Sequence, residues 1–285
     1  MTLEKVFEPL HDDMKAVDVE LKALMKRVGS EMDPSRNRLG ILGGIVQHPF
    51  AVPGKRIRPA MVLLLYRALG ATADDDSLVS LAAAVEVLHA ASLVHDDVID
   101  GADSRRHQVS LNKRFGNRIA VLAGDILYTH FFTLITGLSR IDARKRFELL
   151  DVFLETTKAM CMGEILAQEA RSAHRPLTFD VYKEIATDKT AVLFSACCRT
   201  AALLGEAPKA MIATVGRLGL DFGLSFQMID DVMDQDHGLE SAVDLLSKAL
   251  GHAESARAGI DTLPDSIYRK TLHDLLDYVI AQAIP

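Results

Sequence analysis

Disulfide chemistry has little to work with in this chain of 285 residues, which holds three cysteines, Cys161 alone and Cys197 beside Cys198. They supply neither a disulfide framework nor a spaced metal-ligand set, and they read as core packing in a reducing cytoplasm. Proline is missing altogether between Pro59 and Pro176. Over that interval Ala, Leu, Val and Met recur at three- and four-residue spacing, which predicts a run of long helices. Stretches of alternating apolar and polar residues bounded by hairpin turns are absent as well, so no sheet is expected. Nor is there a basic surplus: the net charge is −7 and the pI near 5.8, which argues against a nucleic-acid binder held by phosphate neutralisation. Any anion site must therefore be local. The segment Met1–Lys15 lacks a basic stretch followed by an apolar one, so no signal peptide is expected. The most apolar stretches, Leu78–Val94 and Ile119–Leu138, are broken by Glu86, His89 and Asp125. That favours buried helices over membrane spans.

What the chain does contain is apolar residues, 49% of the total, enough for one substantial core and a single domain over residues 1–285. Glycine and proline place breaks at His48–Gly54, Leu69–Asp76, Gly101–Gly116, Gly137–Ala143, Ala173–Thr178 and Gly205–Lys209. About eight to ten helices follow, in an all-α fold. No short repeat and no low-complexity linker interrupts them.

One pair of segments is alike: Asp96-Asp97-Val98-Ile99-Asp100 and Asp230-Asp231-Val232-Met233-Asp234. Each ends an apolar helical stretch. At 3.6 residues per turn the first and fifth positions share a face, with the second aspartate about 100° around it. Three carboxylates crowded at the end of an apolar helix lose hydration and repel each other, so a cation is expected to offset them. Oxygen-only ligands favour a hard divalent ion. Mg²⁺ keeps several waters and bridges one or two carboxylates to substrate phosphates, so a metal–diphosphate complex fits. A calcium loop of the EF-hand type does not, because its glycine at the sixth position and glutamate at the twelfth are absent from both segments. A single such motif would read equally well as solvated helix-terminal charge; two matching copies with basic neighbours argue for a site.

The basic neighbours are Gly54-Lys55-Arg56-Ile57-Arg58-Pro59 and, just after the first acidic motif, Ser104-Arg105-Arg106-His107. Arginine offers a planar fork to phosphate oxygens and lysine a point charge, so either cluster can hold a diphosphate. His89 lies seven residues before Asp96, two turns up the same helical face and about 10 Å away, within reach of an anion beside the metals. Its competing reading is a packed core histidine.

These residues resemble the trans-prenyl (polyprenyl) diphosphate synthases, the head-to-tail isoprenoid chain elongases. Gly54–Pro59, Glu86–Asp100, Arg105-Arg106, Gly116–Asp125, Gly163-Glu164, Lys189-Thr190 and Phe226–Asp234 match that family's motifs in order, over about residues 40 to 236. The resemblance implies an isoprenoid-synthase-type helical bundle around a deep cavity, a transferase working in isoprenoid biosynthesis, and a homodimer. It implies that Asp96, Asp97, Asp100, Asp230, Asp231 and Asp234 ligate a cluster of three Mg²⁺ ions holding an allylic diphosphate. Arg105 would grip that diphosphate, Lys55, Arg58, His89 and Arg106 would bind isopentenyl diphosphate, and Lys189, Thr190 and Gln227 would line the ionisation centre. The implied partners are these two substrates, with no nucleic acid and no transmembrane segment.

Product length is expected to follow from Ala91 and Ser92, one turn before the first motif. Both are small, which in the family accompanies long products, here about forty carbons. The floor would lie deeper, at Phe131, Phe132, Phe147 or Phe153. If another bulky group closes the tunnel early, the product is geranylgeranyl or farnesyl diphosphate. Three departures from the family pattern stand out. The lysine-bearing segment that usually follows the second motif is missing near residues 236–240. His107 replaces a usual glycine. Ala167 replaces a usual polar residue, with Gln168 in position to compensate. Two rivals remain: a terpene cyclase, which would leave Lys55, Arg58 and His89 without a task, and a weakly active partner subunit of a heteromeric synthase.

Overall fold

The computed structural model describes residues 1–30, 42–52, 54–72, 75–173, 177–234 and 242–283. The missing-lysine segment at 236–240 lies outside them. The described residues form helices α1 (Leu3–Val6), α2 (His11–Ser30), α3 (Leu42–Gln47), α4 (Ile57–Ala68), α5 (Asp75–Ile99), α6 (Leu111–Phe115), α7 (Asn117–Thr136), α8 (Ala143–Ser172), α9 (Phe179–Ala186), α10 (Val192–Leu204), α11 (Lys209–Asp234), α12 (Ala242–Asp261) and α13 (Ile267–Ala283). The excess over eight to ten comes from α1, α3 and α6, single turns too short to show a periodic apolar stripe. The expected breaks coincide with the ends of α4, α5, α7, α8 and α10, where glycine, proline and polar residues leave the helical backbone without support.

One strand pair departs from the sheet-free expectation. Ser104–Arg105 (β1) pairs antiparallel with Gln108–Val109 (β2). The two residues between them, Arg106 and His107, have φ of 51° and 63°, the left-handed pair of a tight two-residue hairpin. Strands of two residues carry no alternation to detect.

The chain divides into two compact units. The first comprises Met1–His11, Met61–Asp74 and Asp142–Pro285. In it α8, α10, α11, α12 and α13 pack on one another, around Phe153, Phe194, Phe222 and Leu275, all essentially inaccessible. The second comprises Asp12–Ala60 and Asp75–Ile141, where α5 lies along α7 and buries Leu78, Leu81, Val85, Leu88, Leu127 and Phe131. Two described helices are long and apolar enough to cross a membrane. Of an 18-residue stretch within Asp76–Ile99, 72% is buried inside the protein, and of one within Asn117–Thr136, 39%. Cys197 and Cys198 are core residues as expected, whereas Cys161 is exposed, because it falls on the outer side of α8.

Candidate active site

In the second unit the first acidic motif closes α5. Asp100 donates its backbone N–H to Asp96 O at 2.8 Å, so the helical geometry that aligns the two carboxylates persists one residue past the helix. Asp97 points the other way and is buried. Its Oδ1 accepts from Arg105 Nε at 2.7 Å and lies 2.5 Å from Arg105 Nη2. The hairpin that carries Arg105 is tied to the same turn. Ser110 Oγ donates to Ala102 O at 2.6 Å, and buried Asn112 donates to both Asp97 O, at 3.0 Å, and Ala102 O, at 3.1 Å.

One to three turns back along α5 lies an arginine cluster. Arg58 Nη1 is 3.1 Å from His89 Nε2. Desolvation of the partly buried ring, then Arg58, then Arg106, Arg105 and Arg56 hold His89 well below the ordinary histidine range. Its Nε2 is therefore a neutral acceptor for the Arg58 N–H. Arg56 pairs with Glu86, and its Nε lies 3.5 Å from Asp18 on α2. Arg56 has φ of 54°, a left-handed backbone that L residues rarely adopt without compensation. Arg106 packs over Gly54, where a Cβ would stand 2.5 Å from Nη2, so a larger residue there would push the guanidinium aside. Burial lowers the Arg106 pKa, and Glu86 opposes that. Lys55 is exposed beside them. Glu86, His89, Asp97, Arg105 and Arg106 line one pocket, with Phe50 and Val94 among its apolar walls. Glu86 had no assigned role in the sequence reading. An acidic residue three positions before His89, in an otherwise apolar helix, was the signal that could have found it.

The first unit holds the second motif. Asp230 and Asp234 are exposed at the end of α11, while Asp231 is half-buried. Asp231 Oδ2 accepts from the Tyr182 hydroxyl at 2.5 Å, and Oδ1 accepts from Gln227 Nε2 at 2.8 Å. Gln227 Oε1 in turn accepts from Thr190 Oγ1 at 2.7 Å. Tyr182 is raised far above the ordinary phenol range, first by burial and then by Asp231, so it remains a donor. Lys189 and Thr190 lie on a π-helical turn, Thr187–Ala191, inserted between α9 and α10. Such turns shift side chains out of α-helical register and recur at functional sites. Gly163 on α8 allows the turn to sit close, since a Cβ there would come within 2.7 Å of the Lys189 backbone nitrogen. Lys189 Nζ pairs with Glu164 Oε2 at 2.5 Å, and Gln168 donates to Glu164 Oε1 at 2.7 Å. One turn on, Gln168 thus faces Glu164 as its position relative to Ala167 suggested. Tyr182 escaped the sequence reading, although a tyrosine seven residues before Lys189 places it two turns back on the same run of helix.

The chain-length residues separate by environment. Ala91 is fully buried, whereas Ser92 is partly exposed and bonds back to His89 O at 2.9 Å. Phe131 and Phe153 are fully buried, but Phe147 is 67% exposed, which does not suit the floor of a buried tunnel.

An all-helical scaffold with two acidic motifs, each with its second aspartate held by protein donors, and an arginine cluster beside one of them agrees with the class that the sequence resembles, a prenyltransferase of the isoprenoid-synthase type. The polyprenyl synthetase family profile matches residues 40–242. The chain is 34% identical over 250 residues to a prenyl transferase of Synechocystis, covering 86% of this chain and 70% of that one. It is 32% identical over 268 residues to the octaprenyl diphosphate synthase of Escherichia coli, covering 93% and 74%. Its structure resembles a polyprenyl synthase from Caulobacter crescentus complexed with calcium and isoprenyl diphosphate, with a TM-score of 0.82, 26% identity and 98% of both chains covered. The chain belongs to the polyprenyl synthetase family.

Proposed function

We propose that the protein condenses isopentenyl diphosphate with an allylic diphosphate, in a Mg²⁺-dependent reaction, to build a long-chain polyprenyl diphosphate of about forty carbons. The observation that carries this reading is the pocket where Asp97, held by Arg105, meets neutral His89 and Arg106. A carboxylate turn and a desolvated cationic cluster side by side suit a pair of diphosphates, one bridged to metal and one gripped directly. The Escherichia coli relative makes, by its name, an eight-isoprene product, which supports the long-chain assignment.

Among the described residues no three or more His, Cys, Asp or Glu side chains converge to hold a metal by themselves. The donors are nonetheless all carboxylate oxygens, and Mg²⁺ binds through one or two carboxylates while substrate phosphates and water complete its shell. The residues therefore fit an ion completed by substrate, and the calcium bound by the Caulobacter relative supports a divalent site. Asp96, Asp100, Asp230 and Asp234 would supply ligands, with Asp97 and Asp231 beside them, for up to three ions. When bound, the metal neutralises charge on the departing diphosphate. Arg105 steadies that leaving group. Lys55, Arg58, Arg106 and His89 hold isopentenyl diphosphate so that its double bond faces the developing allylic cation. Lys189, Thr190 and Gln227 line the centre where the cation forms, and the proton lost after condensation goes to the released diphosphate.

The family match draws residues from both compact units, which supports counting 1–285 as one catalytic domain. A cytoplasmic homodimer completes the reading. Exposed Val121 and Leu122 on α7, and exposed Phe147, Leu154, Met162 and Ile165 along one side of α8, are apolar surfaces of the kind that partner subunits cover. The test is incubation with Mg²⁺, labelled isopentenyl diphosphate and allylic primers of several lengths, followed by chromatography of the dephosphorylated products. Products near forty carbons are expected. Diphosphate release without incorporation of isopentenyl label would point instead to a cyclase and overturn the assignment.

A further inference from the structure

We infer that Tyr182 is a positioning residue for the second acidic motif, fixing the Asp231 carboxylate so that the motif can bind its metal ions. The inference rests on the metal-dependent reading above. Three observations carry it. The phenol and the Gln227 amide reach different oxygens of Asp231, at 2.5 and 2.8 Å, and two donors from separate helices fix both the plane and the tilt of the carboxylate. The phenol is itself flanked: Phe179 lies beside it with ring centroids 6.3 Å apart, and Lys248 of α12 lies over Phe179 at 5.2 Å. Finally, the Gln227 end of the arrangement continues to Thr190 at 2.7 Å, so the acidic motif and the π-helical turn share one hydrogen-bonded chain.

The corresponding carboxylate of the first motif, Asp97, is fixed by Arg105, a cation. Tyr182 achieves the orientation with a neutral donor. A neutral donor leaves the acidic cluster its negative charge while holding its geometry, which is what a site for divalent ions needs. Groups that orient metal ligands from behind typically contribute ten- to a hundredfold to metal affinity.

Tyr182→Phe removes the hydroxyl and keeps the ring. Manganese binding to the full chain, measured by electron paramagnetic resonance in the presence of inorganic pyrophosphate, is expected to weaken about tenfold, with thermal melting of the metal-free protein close to wild type. Asp230→Asn serves as the control on the underlying reading. If Asp230→Asn loses manganese and Tyr182→Phe does not, the Tyr182 inference is wrong and the metal-dependent assignment stands. If the wild-type protein takes up no manganese with pyrophosphate, both fall. A second measurement needs no variant. In wild-type protein labelled at tyrosine Cζ, one of the five tyrosine resonances is expected to shift when Mg²⁺ and pyrophosphate are added together, and a spectrum with none moving would overturn the inference.

Discussion

Removing the Glu86 carboxylate should destabilise the protein. The Glu86 side chain is 4% exposed and paired with an Arg56 side chain 11% exposed, in the company of Arg106. Glu86→Ala would leave Arg56 desolvated without its main partner, beside the Arg106 guanidinium. Breaking a buried ion pair by deleting one member typically costs about 3–5 kcal/mol, because the surviving charge keeps its desolvation penalty. With an unfolding entropy of about 2.1 cal/mol/K per residue and a chain of 285 residues, that corresponds to a fall in melting temperature of at least about 5 °C. Differential scanning calorimetry reads it directly. The double variant Arg56→Met/Glu86→Leu should recover most of the loss, since removing both partners leaves no orphaned charge. The same single variant should raise KM for isopentenyl diphosphate more than it lowers kcat, because the arginine cluster loses its shape while the ionisation centre does not. A melting shift below about 1 °C for Glu86→Ala would refute the claim that this pair organises the cluster.

Other predictions follow from neighbouring residues. His89 has its proton affinity lowered in the folded state, so below about pH 6.5 the unfolded chain binds a proton that the folded one does not, and stability falls as pH drops until the folded His89 itself titrates. His89→Gln should flatten that slope by up to about 1.4 kcal/mol per pH unit just below pH 6.5, as measured by denaturant unfolding at each pH; parallel slopes would contradict it. His107→Gly should stabilise the hairpin, because a left-handed residue costs about 1–2 kcal/mol and the added freedom of glycine in the unfolded chain returns about 0.4–1. Slower amide exchange across Ser104–Val109 is the readout, and faster exchange would count against it. Ser92→Phe should shorten the product with turnover retained. Ala91→Phe, at a fully buried site, should instead cost about 1–3 kcal/mol through overpacking; an Ala91→Phe protein as stable as wild type would show that Ala91 borders open space.

Much of this protein could be read from residue order alone. The helices and their breaks were legible because apolar periodicity and glycine or proline interruptions are local properties. So were the two acidic motifs, whose i, i+4 geometry is a property of one helix, and the basic clusters that accompany them. Family membership rested on the same short segments. Single helical turns and a two-residue strand pair were not legible, since neither is long enough to show a period. The role of Glu86 stayed hidden because its partner Arg56 lies thirty residues earlier. Tyr182 stayed hidden because Asp231 lies forty-nine residues later. Sequence determined which chemical groups are present and in what local register. Only tertiary packing decided which of them lose water together, and with that which arginine is neutralised, which histidine stays uncharged and which aspartates are held in place, because desolvation and hydrogen bonding depend on neighbours that the chain brings together only when it folds.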